Sequence, residues 1–318
     1  MLLAYRQTVD GQTCRHLIQG LNNIKLETIA LHTGYTSEPT TKAATTPIYQ
    51  TTSFTFDNTQ HGADLFNLAV PGNIYSRIMN PTNAVLEERL AAMEGGIAAL
   101  TVASGMAAIT YAIQAITEVG SNIVSTTQLY GGTYNLFAHT LPRQGVDVRM
   151  VDANDFDGFE AAIDDNTRAI FCESIGNPLG NIVDIKRLAD IAHSRGVPLI
   201  VDNTSATAYL CKPIEHGATL VVNSMTKYLT GNGTVTGGVV VDSGNFDWSA
   251  SDKFPSLSQP EPAYHGLKFH ETFGALAFTL HGIAIGLRDL GMTLNPQAAH
   301  YTLLGIETLS LRMQRHVE

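Results

Sequence analysis

The chain has 318 residues, of which 44% are hydrophobic and 15% are charged, so it can bury a large core and is not expected to be disordered. Its 19 Lys and Arg residues against 29 Asp and Glu residues give a formal net charge of -10. This balance argues against nucleic acid or an anionic membrane as partners, because both bind through clustered basic charge.

The cysteines and the N-terminus indicate a compartment. Cys14, Cys172 and Cys211 share no close spacing, which argues against a zinc site and against a disulfide framework. Arg6 interrupts the first apolar stretch before it reaches the length of a signal-peptide core. No uninterrupted apolar run is long enough to cross a bilayer. We therefore expect a soluble, cytoplasmic protein without a metal site.

The first part of the chain predicts an arm followed by a helix. Residues 1–75 are rich in Thr, Gly and Pro and show no sustained periodicity, which is typical of an extended arm that reaches over a neighbouring subunit. Asn80 and Pro81 then form a good helix start, and Gly95 with Gly96 ends the helix. Apolar residues at i, i+4 and i+7 mark its buried face: Leu86, Leu90 and Met93.

Short apolar runs then alternate with amphipathic stretches. The predicted strands lie at 99–102, 122–126, 146–150, 168–173, 197–202 and 219–224. Between the fourth and fifth, one apolar face predicts a helix through Ile185, Leu188, Ala189 and Ala192. Apolar runs without alternation are typical of a parallel sheet covered on both faces. We predict an α/β fold with a mostly parallel sheet flanked by helices, and a ligand site at the carboxyl ends of its strands.

The last part of the chain predicts a long connection followed by one helix. Residues 242–295 contain several Pro and Gly residues and are predicted to be a long irregular connection. Pro296 then opens one helical pattern with apolar residues at Leu303, Leu304, Ile306, Leu309 and Met313. No Gly or Pro ends this helix before Glu318, so we interpret the chain as cut short.

Lys227 is the first candidate for chemistry, because it directly follows a predicted strand. Ser224 and Thr226 flank it with hydroxyl groups, and four glycines follow at 231, 233, 237 and 238. Hydroxyls, exposed amides and a lysine together suit a phosphate-bearing ligand, whereas a lysine without such neighbours is usually a surface residue.

Asp202 is the second candidate, at the end of the preceding strand. A carboxylate there is costly unless it is paired, so it should face a cation or a protonated nitrogen. A helix N-cap is the alternative interpretation.

Three further strand ends carry polar groups. Ser104, Gly105 and Met106 begin a helix after a strand, which is an anion site by geometry although many such turns contain glycine. Tyr130 and Asn177 follow two other strands, where packing and an ordinary turn are the alternatives.

Other enzyme classes lack their companion motifs. Ser224 and Lys227 match the S-x-x-K motif of serine acyl-transfer enzymes, but neither S-D-N nor K-T-G is present. The phosphate-loop and dinucleotide glycine motifs are absent, and His270 with Glu271 is not followed by the second histidine of a metalloprotease helix.

Six ordered motifs closely resemble the Cys/Met-metabolism family of pyridoxal-phosphate enzymes. They are YSRIMNPT (75–82), ASGMAA (103–108), YGGT (130–133), ESIGNP (173–178), VDNT (201–204) and NSMTKYLTGNGT (223–234). The similarity runs from about residue 25 to the end, and within the family it is strongest to O-acetylhomoserine sulfhydrylases. The resemblance implies a fold-type I architecture with an arm at 1–75, a large cofactor domain at 76–290 and the start of a smaller C-terminal domain at 291–318.

The resemblance also implies a role for each candidate. Lys227 would hold pyridoxal phosphate as a Schiff base and shuttle protons, and Asp202 would pair with the pyridine N–H. The remaining cofactor contacts that it implies are Ser104, Gly105, Met106, Thr204, Ser224 and Thr226, with Tyr75 and Arg77 from a neighbouring subunit. Tyr130 would stack on the ring and assist proton transfer, and Asn177 would contact the ring oxygen or the substrate carboxylate.

The implied reaction is γ-replacement in methionine and cysteine biosynthesis, with O-acetyl-L-homoserine and sulfide or a thiol as small-molecule substrates. The alternatives are a cystathionine γ-synthase or γ-lyase of the same family, or a truncated fragment that binds cofactor without turnover. The resemblance further implies a homotetramer built from dimers with shared active sites.

Several positions depart from the family pattern: Ser205, Ala208, Asn223 and Thr230. None removes an implied cofactor contact. The arginine that binds the substrate α-carboxylate in the family lies in the C-terminal domain, and no residue of this chain matches it.

Overall fold

A seven-stranded sheet forms the centre of the protein. The computed structural model describes residues 24–318. The strands are β1 (Ala98–Val102), β2 (Asn122–Thr126), β3 (Asp147–Val151), β4 (Thr167–Glu173), β5 (Leu199–Asp202), β6 (Leu220–Ser224) and β7 (Gly238–Asp242). They lie in the order β1-β7-β6-β5-β4-β2-β3. All neighbours pair in parallel except β7, which is antiparallel to both β1 and β6.

The sheet confirms the predicted fold class and adds one strand. Each of the six predicted strands is present within two residues of its predicted bounds. The strand β7 was missed, because its three valines lie between a glycine-rich loop and Asp242 and are too few to establish a period. Its insertion between β1 and β6 makes the sheet mixed rather than wholly parallel.

Helices cover both faces of the sheet. The α-helices are α1 (Leu26–His32), α2 (Thr59–Phe66), α3 (Pro81–Glu94), α4 (Gly105–Gln114), α5 (Gly131–Asn135), α6 (Leu141–Arg143), α7 (Phe156–Ala162), α8 (Ile185–Ser194), α9 (Thr207–Leu210), α10 (Pro255–Ser258), α11 (Phe269–Phe273), α12 (Ala277–His281), α13 (Pro296–Ile306) and α14 (Leu309–Val317). Two π-helical segments, Leu136–Thr140 and Gly282–Leu290, and three 3-10 segments, Pro213–His216, Pro262–Tyr264 and Gly274–Leu276, complete the helical structure.

The core has two parts, one on each side of the sheet. In β4, Ile170 and Cys172 pack on one side, whereas Ala169 and Phe171 pack on the other. All four side chains are fully buried. Strands that are apolar on both faces need helices on both faces, which explains why their sequences do not alternate.

Helix α3 has the caps that the sequence predicts. The Asn80 side chain accepts a hydrogen bond from the Thr82 amide at 2.9 Å, and Pro81 occupies the first turn. Gly95 ends the helix with φ at 80°, a left-handed conformation that glycine adopts without strain. The predicted helix through Ile185 is likewise confirmed as α8.

The predicted arm is not wholly extended. The region 1–75 contains α1 and α2, and its first 23 residues lie outside the described part of the chain. Ile29 and Ala30 of α1 are buried against α3, so this short helix belongs to the core. Seven residues are too few for a helical period to be recognised in the sequence.

The prediction of an irregular connection at 242–295 is wrong. A run of 22 residues, Phe269–Leu290, is helical and apolar enough to cross a membrane by length and composition alone. Half of its most apolar window is buried inside the protein, where Phe269, Ala277 and Phe278 pack in the core. A core helix of this length and composition meets the same criteria. The glycines at 274, 282 and 286 interrupt the apolar pattern, so the sequence did not predict a helix here.

The last predicted helix is two helices. The chain turns at Glu307 and Thr308, between α13 and α14. Leu303, Ile306 and Met313 join the same core as α3, because α13 packs along that helix.

Leu86→Ala tests the packing of α3. We expect the free energy of unfolding to fall by about 2–5 kcal/mol, because the fully buried side chain leaves a cavity beneath the sheet. Denaturant unfolding measures the change. The matched control Leu311→Ala, whose side chain is 70% exposed, should change it by about 0.5 kcal/mol or less. Equal losses in the two variants would contradict this assignment of the core.

Candidate active site

The carboxyl ends of β4, β5 and β6 bring several of the predicted residues to one edge of the sheet. Asp202 ends β5 and lies beside Glu173, the last residue of β4. The Thr204 amide donates to Asp202 Oδ1 at 2.9 Å, and the Ser224 amide donates to Thr204 Oγ1 at 2.7 Å. Backbone amides and side chains thus link the ends of neighbouring strands.

Lys227 lies in the turn that follows β6. Its backbone is fixed, because its amide donates to the Ser224 carbonyl at 3.2 Å and its carbonyl accepts from the Gly231 amide at 2.8 Å. Its side chain is exposed. Thr226 is held by the backbone of Gly237, whose amide donates to Thr226 Oγ1 at 3.1 Å. The backbone hydrogen bonds therefore fix this turn, and the turn presents the exposed amine of Lys227 at this edge of the sheet.

The beginning of α4 packs directly against Ser224. Ser104 caps the helix by accepting the Ala107 amide at 3.1 Å. A Cβ at Gly105 would lie 2.6 Å from Ser224 Cβ, so only glycine allows this approach. A Cβ on Gly238 would likewise overlap the Ser104 carbonyl. The first amides of a helix have no partner within it, and here they open beside a serine hydroxyl, which favours an anion.

The Asp202 carboxyl group lies at the end of β5 and accepts a hydrogen bond from the chain that follows it. Burial raises the pKa of its carboxyl above the ordinary value, while hydrogen bonds from Thr204 oppose this shift. Within residues 24–318 it forms no ion pair. A protonated ring nitrogen would supply the missing positive charge.

Tyr130 and Asn177 lie at the ends of the adjoining strands. The Tyr130 amide donates to Glu173 Oε1 at 2.6 Å, and the Asn177 amide donates to Glu173 Oε2 at 3.0 Å. The Tyr130 side chain is 48% exposed, so its ring is open to a ligand. Glu173 was not among the predicted site residues, although its position in ESIGNP, directly at the end of an apolar strand, was the available signal.

Met106 connects the start of α4 to the helix that follows Tyr130. The Thr133 hydroxyl lies 4.0 Å from the Met106 sulfur. The strand-end contacts therefore continue from Asn177 and Tyr130 through Asp202 to Ser224 and the start of α4.

Tyr75 and Arg77 have other surroundings. The Arg77 guanidinium donates to the Arg288 carbonyl and lies 5.4 Å from the centroid of the Tyr75 ring. Thr293 donates to the Arg77 carbonyl at 2.6 Å. Among the described residues, neither side chain hydrogen bonds to the strand-end groups. Arg77 instead lines a cavity of about 600 Å³ between α3 and the Gly282–Leu290 segment.

Glu94 lies behind the strand ends and was not among the predicted residues. Glu94, at the end of α3, accepts hydrogen bonds from the side-chain amides of Asn203 at 3.2 Å and Asn223 at 2.9 Å. Asn223 thus has a structural partner inside the protein. Thr230, another departure from the family pattern, shares a 3.1 Å hydroxyl contact with Thr302 of α13.

Two other chemistries find no support at this edge. In the part of the chain from residue 24 onward, no group of three or more His, Cys, Asp or Glu side chains could hold a metal ion. The side chains of Ser224 and Lys227 form no hydrogen bond with each other in that part, so the nucleophile and base contact of a serine acyl-transfer enzyme is not made there.

Comparison with known proteins gives consistent matches. Residues 27–318 match the family described as Cys/Met metabolism PLP-dependent enzyme. The chain is 50% identical over 294 residues to a homocysteine synthase of Schizosaccharomyces pombe, covering 92% of this chain and 68% of the relative. It is 48% identical over 302 residues to an O-acetyl-L-homoserine sulfhydrylase of Leptospira meyeri, with the same two coverages.

A solved structure shares the fold. A Campylobacter jejuni protein described as an O-acetylhomoserine (thiol)-lyase superposes with a TM-score of 0.89 at 41% sequence identity. The match covers 92% of this chain and 73% of that one. The Campylobacter structure contains N'-pyridoxyl-lysine-5'-monophosphate.

Proposed function

The chain belongs to the Cys/Met metabolism PLP-dependent enzyme family, and we propose that it is an O-acetylhomoserine sulfhydrylase. It would replace the γ-acetoxy group of O-acetyl-L-homoserine by sulfide or a thiol and so produce homocysteine or a thioether in methionine biosynthesis. The observation that carries the proposal is the linked strand-end edge formed by Asp202, Thr204, Ser224 and Gly105 beside the exposed amine of Lys227. Names of relatives near 50% identity favour this reaction over cystathionine formation.

The residues at this edge fit pyridoxal phosphate. The amides of Gly105 and Met106 and the hydroxyls of Ser224 and Thr226 are suited to the phosphate, because they combine hydrogen-bond donors with the positive end of α4. The desolvated carboxylate of Asp202 suits the protonated pyridine nitrogen. When bound, pyridoxal phosphate supplies an electron sink that stabilises negative charge on the substrate.

Thr204 acts through Asp202 and Ser224. Its amide donates to the Asp202 carboxylate, and its hydroxyl accepts from the Ser224 amide. This pair of bonds fixes the separation of the carboxylate end and the phosphate end of the cofactor site. Ser104 acts in the same way on the other side, because it caps the helix whose amides face the phosphate.

Lys227 holds the cofactor and moves protons. A lysine amine on a flexible stem can take one proton from substrate Cα and one from Cβ, and return one proton to each of these carbons after the thiol has added and lost its own proton. Acetate leaves with the electron pair of the Cγ–O bond. The sulfur nucleophile then forms the Cγ–S bond, so atoms and charge balance over the cycle.

Tyr130 and Asn177 orient the ring and the substrate. The exposed ring of Tyr130 offers a stacking surface, and its hydroxyl assists proton transfer beside Lys227. The Asn177 side chain supplies an amide for the ring oxygen or the substrate carboxylate. Tyr75 and Arg77 contact the cofactor bound to a second copy of the chain. The copies form a homotetramer built from dimers, and we place this assembly in the cytoplasm.

A direct assay tests the function. The purified chain loaded with pyridoxal phosphate is incubated with O-acetyl-L-homoserine and sulfide, and homocysteine is measured. O-succinyl-L-homoserine with cysteine is the comparison substrate pair. The proposal expects homocysteine from the first pair as the faster reaction. Faster formation of cystathionine from the second pair would contradict it.

Gly105→Ala tests the close approach of α4 to Ser224. The added Cβ overlaps the Ser224 side chain, so the helix start must move away from the hydroxyl. We expect about tenfold weaker binding of pyridoxal phosphate, because such overpacking costs about 1–3 kcal/mol. A fluorescence titration of the apoprotein measures the affinity. Gly158→Ala is the matched control, since its added Cβ overlaps the Asp155 side chain that caps the start of α7, and neither residue belongs to the proposed cofactor site. Equal affinities in the two variants would contradict the assignment of the phosphate site.

A further inference from the structure

Glu173 is a buried acid that bridges two loops of the proposed site. Its side chain ends β4 and is only 4% exposed. One carboxylate oxygen accepts the amide of Tyr130 and the other accepts the amide of Asn177, at 2.6 and 3.0 Å. Both contacts go to backbone N–H groups, so they fix the path of the chain rather than a rotatable side chain.

The two amides belong to different connections. Tyr130 lies at the start of α5, in the connection that follows β2, whereas Asn177 lies in the loop that follows β4. The strands β2 and β4 are neighbours in the sheet. Within the described residues, no hydrogen bond between backbone groups joins Tyr130 to Asn177. The single Glu173 carboxylate therefore sets the spacing between the two loops at these residues.

An acid is an expensive residue at this position. Burial, together with the charge of Asp202 on the neighbouring strand, raises the pKa of Glu173 to about 7. A neutral side chain would lower the free energy of folding more than this acid does. The two hydrogen bonds from the Tyr130 and Asn177 amides offset the cost of burying the acid.

We propose that Glu173 is a positioning residue that sets the separation of Tyr130 and Asn177 and thereby the fit of pyridoxal phosphate between them. This inference rests on the proposed function, because Tyr130 and Asn177 contact the cofactor only in that account. Both Glu173 oxygens are taken by backbone amides, so we assign it no direct contact with cofactor or substrate. It acts through the backbone of Tyr130 and Asn177, and so keeps the Tyr130 ring and the Asn177 side-chain amide in place when the cofactor binds.

The test compares Glu173→Gln with a matched glutamine variant. Glutamine keeps the shape of the side chain but replaces one acceptor oxygen by an NH2 group that faces an N–H donor. Glu87→Gln is the control, because Glu87 accepts the Thr101 amide at 2.9 Å and lies on α3, away from the strand-end edge. Each protein is titrated with pyridoxal phosphate, and the visible circular dichroism is recorded per bound cofactor.

We expect about tenfold weaker cofactor binding in Glu173→Gln, because one hydrogen bond is lost and an NH2 group is left facing an N–H donor. Most of the visible circular dichroism band per bound cofactor should also be lost, because the ring no longer has one fixed orientation. Glu87→Gln should keep both properties. A loss of fold stability alone would not change the band of the molecules that still bind. Unchanged binding and band in Glu173→Gln, or equal losses in both variants, would overturn the proposal.

Hydrogen exchange on the wild-type chain needs no variant. The amides of Tyr130 and Asn177 should exchange more slowly than the amide of Gly131, which lies in the first turn of α5 and has no helical partner. Exchange of both amides as fast as that of Gly131 would overturn the bridge. If the wild-type chain bound no pyridoxal phosphate, the proposed function would fail. The exchange rates of the Tyr130 and Asn177 amides would still show whether Glu173 bridges the two loops.

Discussion

Lys227→Ala abolishes the formation of homocysteine. The substitution removes the one amine that the turn after β6 presents at the strand-end edge, and with it both the covalent attachment of pyridoxal phosphate and the base at Cα. The rate should fall by about four orders of magnitude or more, as expected when general base and covalent catalysis are lost together. Homocysteine formation from O-acetyl-L-homoserine and sulfide is the measurement.

Two companion variants make the result specific. Lys227→Arg keeps the positive charge but cannot form the covalent attachment, so it should be as inactive as the alanine variant. Lys186→Ala removes a surface lysine that pairs with Asp190 on α8 and should leave the rate unchanged. Homocysteine formation at the wild-type rate by Lys227→Ala would refute the role of this residue.

Asp202→Asn lowers kcat by about two to three orders of magnitude. Asparagine keeps the shape of the side chain but cannot hold a proton on the pyridine nitrogen, and breaking a buried ion pair costs about 3–5 kcal/mol. Asp202→Ala should act in the same direction and still permit some cofactor binding. Steady-state kinetics, with kcat and KM separated, measure the effect.

Asp242→Asn is the matched control for this substitution. Asp242 ends β7 at the opposite edge of the sheet and accepts the amide two residues ahead, as Asp202 does. Burial also raises the pKa of its carboxyl, to about 7. We expect kcat to stay near the wild-type value in this variant. Unchanged kinetics in Asp202→Asn, or an equal loss in Asp242→Asn, would contradict a role at the pyridine nitrogen.

The sequence predicts those parts of the fold that have long or repeated signals. The fourteen residues of α3 carry both caps and a clear apolar face, and the buried strands stand out as continuous apolar runs. The strand β7 and the helices at 269–290 have no such signal and were not predicted. Short runs interrupted by glycine acquire their structure from the sheet and the core around them, which local patterns do not contain.

The candidate site shows the same division. Residues at strand ends could be predicted, because parallel strands bring their carboxyl ends to one edge. Glu94 could not be assigned in this way, since its partners are side-chain amides far away in the sequence. Glu173 had the signal of a strand end, but its bridge depends on the Tyr130 amide, which lies 43 residues away. The roles of Tyr75 and Arg77 stay predictions, because they depend on a second copy of the chain.

The absorption spectrum of the purified chain tests the central claim most directly. It is recorded with pyridoxal phosphate, before and after addition of O-acetyl-L-homoserine, for the wild type and for Lys227→Ala. We expect a yellow band from cofactor attached to Lys227, absent in the variant and altered by the substrate. A band that ignores the substrate, or no band in the wild-type chain, would contradict a γ-replacement enzyme built on this strand-end site.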